Sequence, residues 1–346
     1  MNPPLLGVAI IGSGIFVREQ HLPAVQASPY LTLKAIYSRS LKSAQDVAAN
    51  VHGVDFYSED SDKSLKDLLA RQDITGVIIA LPITVQPEYI KQALRAGKHV
   101  LAEKPLAKDV ATAKELIEWY HSNIDTSKVT YGVAEQFRYL KDVCRGAEVA
   151  RDFGRVIGYR FKFGALTQAG NRYFETSWRK IPEYQGGFLL DGGVHFVAAM
   201  RVLLGSEAKV VRLSAFTTQL QEHLPPVDTV DTVLKLENGC TANFSVSFGT
   251  TFTGMEHSIA CERGSILVTR DTVTSKPKGG EQVTETTPSD VGGVELEVSA
   301  WAKSLVDGKQ DDRQRPEEAL ADLELIEAML NSGAQDGKPV ELKLQM

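Results

Sequence analysis

Gly7-Val8-Ala9-Ile10-Ile11-Gly12-Ser13-Gly14-Ile15-Phe16-Val17 is an apolar run, a glycine turn and the start of a helical pattern. The run is short and apolar throughout, as expected of a strand buried on both faces. The stretch Val17 to Gln26 that follows reads as a helix. Strand, glycine turn and helix in that order form a dinucleotide-binding fingerprint. Gly12 permits the tight turn, Gly14 lets a pyrophosphate approach the backbone, and the helix start favours its charge. Cofactor contacts are therefore expected from Gly12, Ser13, Gly14, Ile15 and Phe16. Val17 occupies the third small position of the fingerprint.

Regular alternation extends the reading. Strands are predicted at 31–37, 76–81 and 98–102, and helices at 41–50, 87–96 and 109–120, the last capped by Asp109. Strands alternating with helices of about ten residues imply a doubly wound parallel sheet of Rossmann type. Ligands bind such sheets at the carboxyl ends of the strands. Gly12, Ser38, Leu81-Pro82 and Glu103-Lys104 then share one edge. The second strand runs into Ser38-Arg39-Ser40 with no acid to accept from a ribose hydroxyl. Hydroxyls and a guanidinium suit a 2′-phosphate, so NADP(H) is expected. The alternative is a surface arginine and NAD(H).

From Val129 the pattern changes, dividing the chain into 1–128 and 129–346. The second part reads as an α+β domain with a large, open, mostly antiparallel sheet. Arg155 to Phe163 alternates, and so does Cys240 to Phe248, with Glu237-Asn238-Gly239 as its hairpin turn. Glu262-Arg263-Gly264-Ser265 reads as another turn, and Asp271 to Gly293 as an exposed hairpin or loop. Helices are predicted over 294–307 and 316–331, with Gly333 after the second. The long connection 166–185 holds Asn171, Tyr173, Trp178, Arg179 and Tyr184, which suit either a sugar or polyol face or an ordinary packed loop.

Asp191-Gly192-Gly193-Val194-His195 places a carboxylate and an imidazole four apart, on one side of a helical turn. With glycines clearing space, the pair suits proton exchange with a substrate hydroxyl. The plainer reading is a helix start with His195 packed behind it. In composition the chain of 346 residues is ordinary, with a formal net charge of −6. No basic block points to nucleic acid or an anionic membrane. No apolar run of membrane-spanning length stands out, and Met1-Asn2-Pro3-Pro4-Leu5-Leu6 lacks a basic n-region before what reads as a strand. Cys144, Cys240 and Cys261 are dispersed, which fits reduced thiols in the cytoplasm. Histidine spacing gives no metal set.

Ala102-Glu103-Lys104-Pro105 and Asp191-x-x-x-His195 together resemble the Gfo/Idh/MocA oxidoreductase family, and the run from Trp178 to Phe188 is similar to a fungal NADPH-dependent branch of it. His21-Leu22-Pro23, Ala134-Glu135 with Arg138-Tyr139, Trp178-Arg179 and the ending Glu318 to Leu323 extend the resemblance over nearly the whole chain. It implies that Lys104, Asp191 and His195 are catalytic. It also implies cofactor contacts from Glu103, Lys104, Gln136, Trp178 and Arg179, beside those of Ser38, Arg39, Ser40, Leu81 and Pro82. Substrate contacts are expected from Lys104, Arg138, Tyr173, Trp178, Asp191 and His195. Where the family often has Pro-Asn-x-x-His, this chain has Pro82-Ile83-Thr84-Val85-Gln86. The implied activity is NADP(H)-dependent hydride transfer at the carbonyl or hydroxyl carbon of a small sugar, polyol or related compound, in a homodimer paired through the second sheet. A cofactor-sensing regulator on the same fold, or an enzyme recycling a tightly held nicotinamide, are the rival readings.

Overall fold

The computed structural model describes residues 5–288 and 293–346. Residues 1–4, at the entry to the first strand, and residues 289–292 of the polar 271–293 stretch lie outside the described residues. The chain forms two units, one of residues 1–136 with 291–319, the other of residues 137–290 with 320–346. This differs from a division at residue 128 in two respects. The strand Tyr131–Ala134 pairs with the first unit's sheet, and the helix Gly293–Asp307 packs on that unit's core.

In the first unit β1 (Leu6–Ile11), β2 (Leu31–Ser38), β3 (Asp55–Ser58), β4 (Gly76–Ile79), β5 (His99–Glu103) and β6 (Tyr131–Ala134) form one sheet. Their order is β3-β2-β1-β4-β5-β6 and every pairing is parallel. The order reverses between β1 and β4, the place where open parallel sheets bind ligands. A π-helical turn, Val17–His21, leads into α1 (Leu22–Ala27). The other crossovers are α2 (Leu41–Val47), α3 (Leu65–Leu69), α4 (Gln86–Arg95) and α5 (Val110–Asn123). The helix expected to reach Asn50 stops at Val47, where the Ala48 N–H turns to the Gln45 carbonyl at 3.2 Å. Asp109 caps α5 by accepting from the Thr112 N–H at 2.7 Å. β3 and α3 are short elements that the sequence pattern did not single out. Val17, the residue in the small position of the fingerprint, is buried with Val8, Ile10 and Trp301 in the core. Its size is used for packing.

The second unit contains α6 (Lys141–Asp152), β7 (Val156–Leu166), α7 (Ser177–Lys180), α8 (Gly187–Leu204), β8 (Val210–Thr218) and β9 (Thr229–Leu236). β10 (Thr241–Ser247), β11 (Gly249–Cys261), β12 (Gly264–Thr269), β13 (Thr272–Pro277) and β14 (Val283–Thr286) follow. With β15 (Val340–Glu341) they make a nine-stranded sheet, antiparallel except for the β7–β10 pair. Asn238-Gly239 turns β9 into β10, and Glu262-Arg263 turns β11 into β12. Phe161 and Phe163, two apart on β7, meet Phe196 of α8 at centroid distances of 5.2 and 4.4 Å. That period of two is what turns one face of a strand into a core.

α8 organises this unit. It is long and apolar enough to cross a membrane, yet 72% of it is buried inside the fold, as in a core helix. Helix α9 is Gly293–Asp307, and α10 is Pro316–Gly333. Gly333 falls inside α10 rather than after it. A Cβ there would lie 2.4 Å from Thr217 Oγ1, so close packing against β8 explains the glycine.

Candidate active site

The residues singled out in the sequence fall into two sets, one on each unit. In the first, Gly12 follows β1 with φ +130°, and a Cβ there would lie 2.3 Å from the Ala80 carbonyl. Glycine is required on both counts. A Cβ at Gly14 would meet nothing within 4 Å, leaving that backbone open to a ligand. Beside it Ser13 Oγ and Ser38 Oγ share a hydrogen bond of 2.7 Å, joining the ends of β1 and β2. An open glycine backbone next to paired hydroxyls fits a nucleotide phosphate. Ser40 caps α2, accepting from the Ser43 N–H at 3.2 Å, and Arg39 is exposed between them. Ile15 and Phe16 are half-buried at the following turn.

The sequence shows no acid at the end of β2, but the fold brings two there from beyond β3. Glu59 Oε1 accepts from the hydroxyls of Tyr37 (3.0 Å) and Tyr89 (2.9 Å). Asp60 Oδ1 accepts from the Leu41 N–H at 2.7 Å; the Ser58 hydroxyl and this N–H hold its carboxyl below the usual range. Both acids are engaged by neighbours. Their approach depends on the β2–β3 pairing, so no local motif announces it.

Glu103 ends β5 and Lys104 follows it. Glu103 Oε1 lies 2.7 Å from Nε2 of His21, a fully buried residue from the π-helical turn. Gln86, at the histidine position of the family pattern, is fully buried. Its amide donates to the carbonyls of Glu103 (3.0 Å) and Pro105 (3.5 Å), tying down the loop that carries Lys104. Leu81 and Pro82 are half-buried just after β4. A further acid, Glu297 of α9, is 1% exposed, and its Oε2 has no hydrogen-bond partner among the described residues. Burial pushes its carboxyl well above the ordinary range. The charges of Glu103 and Glu135 add to that rise, and Lys104 opposes it. His21, Gln86 and Glu297 were not legible as site neighbours, because each reaches Glu103-Lys104 from a different element.

In the second unit Gly187 starts α8 with φ +51°, where a Cβ would lie 2.2 Å from the Pro225 carbonyl. One turn on, Asp191 is 5% exposed and forms an ion pair with Arg179, Nε to Oδ2 2.7 Å. Arg179 lies 4.0 Å above the Trp178 ring, and its Nη1 donates to the Tyr173 carbonyl and to Thr176 Oγ1, both at 3.3 Å. The guanidinium is fixed by stacking and by three acceptors. His195 is half-buried and stacks on Phe137 at 4.6 Å with an 18° interplanar angle. Gln136 opens the 3-10 turn Gln136–Tyr139 that carries Phe137. Asp191 and His195 do share the helix, as their spacing predicts.

Two expectations need correction here. Gly192 was expected to clear space for a substrate, but a Cβ there would lie 2.6 Å from Phe248 Cζ. A ring of the sheet fills that space. Arg138 was expected to touch substrate, but it is 3% exposed and pairs with Asp322, which also accepts from Arg201 Nη1 at 2.9 Å. Its guanidinium ties the turn to α10 inside the unit.

Residues 6–131 match the model of the oxidoreductase family with an NAD-binding Rossmann fold, and residues 149–342 match that family's C-terminal alpha/beta domain. The dehydrogenase FPY6 of Fusarium mangiferae is 42% identical over 99% of this chain and 100% of its own length. The D-xylose 1-dehydrogenase (NADP(+)) 2 of Haloferax volcanii is 29% identical over 98% of both chains. A levoglucosan dehydrogenase in complex with NADH and L-sorbose shares the fold, with TM-score 0.84 and 20% identity over 98% of this chain and 99% of that one. The chain is an NAD(P)-binding oxidoreductase and belongs to the Gfo/Idh/MocA family.

Proposed function

We propose that this oxidoreductase interconverts the carbonyl and hydroxyl forms of a small sugar, polyol or related compound with NADP(H). The observation that carries the reading is the Asp191–His195 pair on α8, with Asp191 held by Arg179 and His195 by Phe137. A guanidinium that never deprotonates keeps the carboxylate available to orient hydroxyl groups. His195 exchanges a proton with the reacting oxygen. By the family resemblance Lys104 is the catalytic cation, a hydrogen-bond donor able to favour the partly anionic state of a reacting oxygen. The nicotinamide, when bound, supplies or accepts the hydride. Ser13, Gly14, Ser38 and Arg39 hold the nucleotide, and the Arg39 guanidinium beside the serine hydroxyls is what supports NADP(H) in this reading.

Nicotinamide absorbance, followed with NADPH and then NADH against sugars, dicarbonyls and aldehydes, tests this reading. His195→Ala should lower kcat by about 10²- to 10⁴-fold while nucleotide binding persists. Tight NADPH binding with no turnover on any carbonyl would favour a sensor, and a preference for NADH would remove the role given to Ser38-Arg39-Ser40.

We also propose a cytoplasmic homodimer. The dispersed thiols Cys144, Cys240 and Cys261 fit a reducing compartment. The face of the large sheet that exposes Phe216 and Val233 would pair the copies. Light scattering should give twice the chain mass, and Val233→Lys should return it to one; a wild-type monomer at micromolar concentration removes the proposal.

A further inference from the structure

We propose that Tyr184 is a specificity-determining residue: its hydroxyl reads a substrate hydroxyl next to the reacting carbon, beside the Arg179–Asp191 pair. This rests on the oxidoreductase reading above and names its substrate class as α-hydroxycarbonyls and the vicinal diols they form.

Tyr184 lies on the connection leading into α8 and is 8% exposed. Its hydroxyl is buried without a hydrogen-bond partner among the described residues. A buried hydroxyl left unpaired costs about 1–3 kcal/mol, so such groups persist mainly where something else satisfies them. Its ring lies 6.0 Å from that of Trp178, the ring on which Arg179 stacks. Burial raises the phenol above its ordinary range and the Asp191 charge raises it further, while Arg179 opposes. The group is therefore an un-ionised donor across the working range, close enough to the ion pair to feel both charges.

The chemistry of the set is specific. Asp191 only accepts, Arg179 only donates, and a phenol can donate and accept. A substrate hydroxyl that donates to Asp191 still has lone pairs for the Tyr184 proton. A hydrogen in place of that hydroxyl would leave the Tyr184 hydroxyl desolvated and unmatched. Sites built to bond a hydroxyl reject the analogue that lacks it far more strongly than apolar pockets reject a size change. The aromatic walls Trp178 and Tyr184 add an apolar surface for C–H groups.

The test compares D-glyceraldehyde with propanal, which have the same carbon skeleton and differ only in hydroxyls. Turnover is measured as the ratio of their kcat/KM values. Binding is measured separately by titrating each aldehyde into protein free of nicotinamide nucleotide, where no hydride can be transferred in either direction. Tyr184→Phe should lower the glyceraldehyde preference at least tenfold by both measures, and its melting midpoint without ligand should stay level or rise. A midpoint that falls by several degrees would show that the hydroxyl has a structural partner, and would overturn the proposal. So would a wild type with no preference for glyceraldehyde, or a preference unmoved in Tyr184→Phe. Absence of turnover on both aldehydes, with the binding preference still lost in Tyr184→Phe, would count against the proposed carbonyl–hydroxyl interconversion and leave the hydroxyl-reading role standing.

Discussion

Glu297 in the first unit and His257 in the second are both fully enclosed ionisable groups, and the fold pushes them in opposite directions. Burial raises the Glu297 carboxyl well above its usual range, reinforced by Glu103 and Glu135. Burial alone lowers the His257 imidazole to about 3. The same physical cause has opposite effects because burial disfavours charge, and charge is the deprotonated form of an acid but the protonated form of an imidazole. Their settings differ as well. Glu297 sits among other charges near the expected chemistry. His257 sits in an aromatic core, its Nδ1 2.7 Å from the Tyr159 hydroxyl and its ring 4.3 Å from that of Phe161. Burial alone therefore does not mark a functional group; the company of other charges does.

The larger expected effect is on the acid side, in the second unit. An unfolded histidine binds its proton below about pH 6.5, whereas His257 in the fold resists it down to about 3. Stability from His257 is thus complete above about pH 6.5 and lost as pH falls towards about 3. The loss is roughly 1.4 kcal/mol per pH unit, or about 3 kcal/mol between about pH 7 and 4.5. Urea titrations across that range should show His257→Gln, less stable than wild type at neutral pH, recovering by that amount relative to it. A constant difference between the two proteins would mean that another group governs acid unfolding. Activity at neutral pH should not depend on His257 beyond what stability dictates.

The two settings also explain what could be read in advance. β1, the glycine turn and the strand–helix alternation are set by local periodicity and backbone conformation, so Gly12 and the parallel sheet were legible. The spacing of Asp191 and His195 was legible for the same reason. What surrounds them was not. Arg179 reaches Asp191 from the short helix α7, its guanidinium stacked on Trp178, and Phe137 reaches His195 from the turn after β6. Phe248 occupies the space beside Gly192, a contact that depends on how α8 lies on the sheet. Arg138 looked like a ligand group because it follows a motif, but Asp322 of α10 claims it. α9 returns to the first unit after the whole second sheet has been built, so Glu297 gives no local sign of its place near Glu103 and Lys104. Side chains whose partners lie on the same turn are visible in sequence; those whose partners arrive by topology are not.

A smaller effect, opposite in sign, is expected from Glu297. An unfolded glutamate loses its proton near about pH 4.3, while Glu297 in the fold keeps its proton to much higher pH. The folded state then binds more protons than the unfolded one above about pH 4.3, so stability falls as pH rises towards the folded value. Glu297→Gln removes that dependence with little change of shape. In mild acid the variant and wild type should be close in stability. In mild alkali the variant should be the more stable of the two, because the folded carboxyl keeps a proton that the unfolded chain has released. The carboxamide also replaces an acid whose Oε2 has no partner, so it removes no hydrogen bond to that atom among the described residues. If chemical denaturation in mild alkali instead finds Glu297→Gln less stable, the carboxyl is ionised in the fold and stabilised by Lys104. The first unit would then hold a charged network where the second holds a neutral core, and the contrast between the two buried groups would be one of charge state as well as of setting.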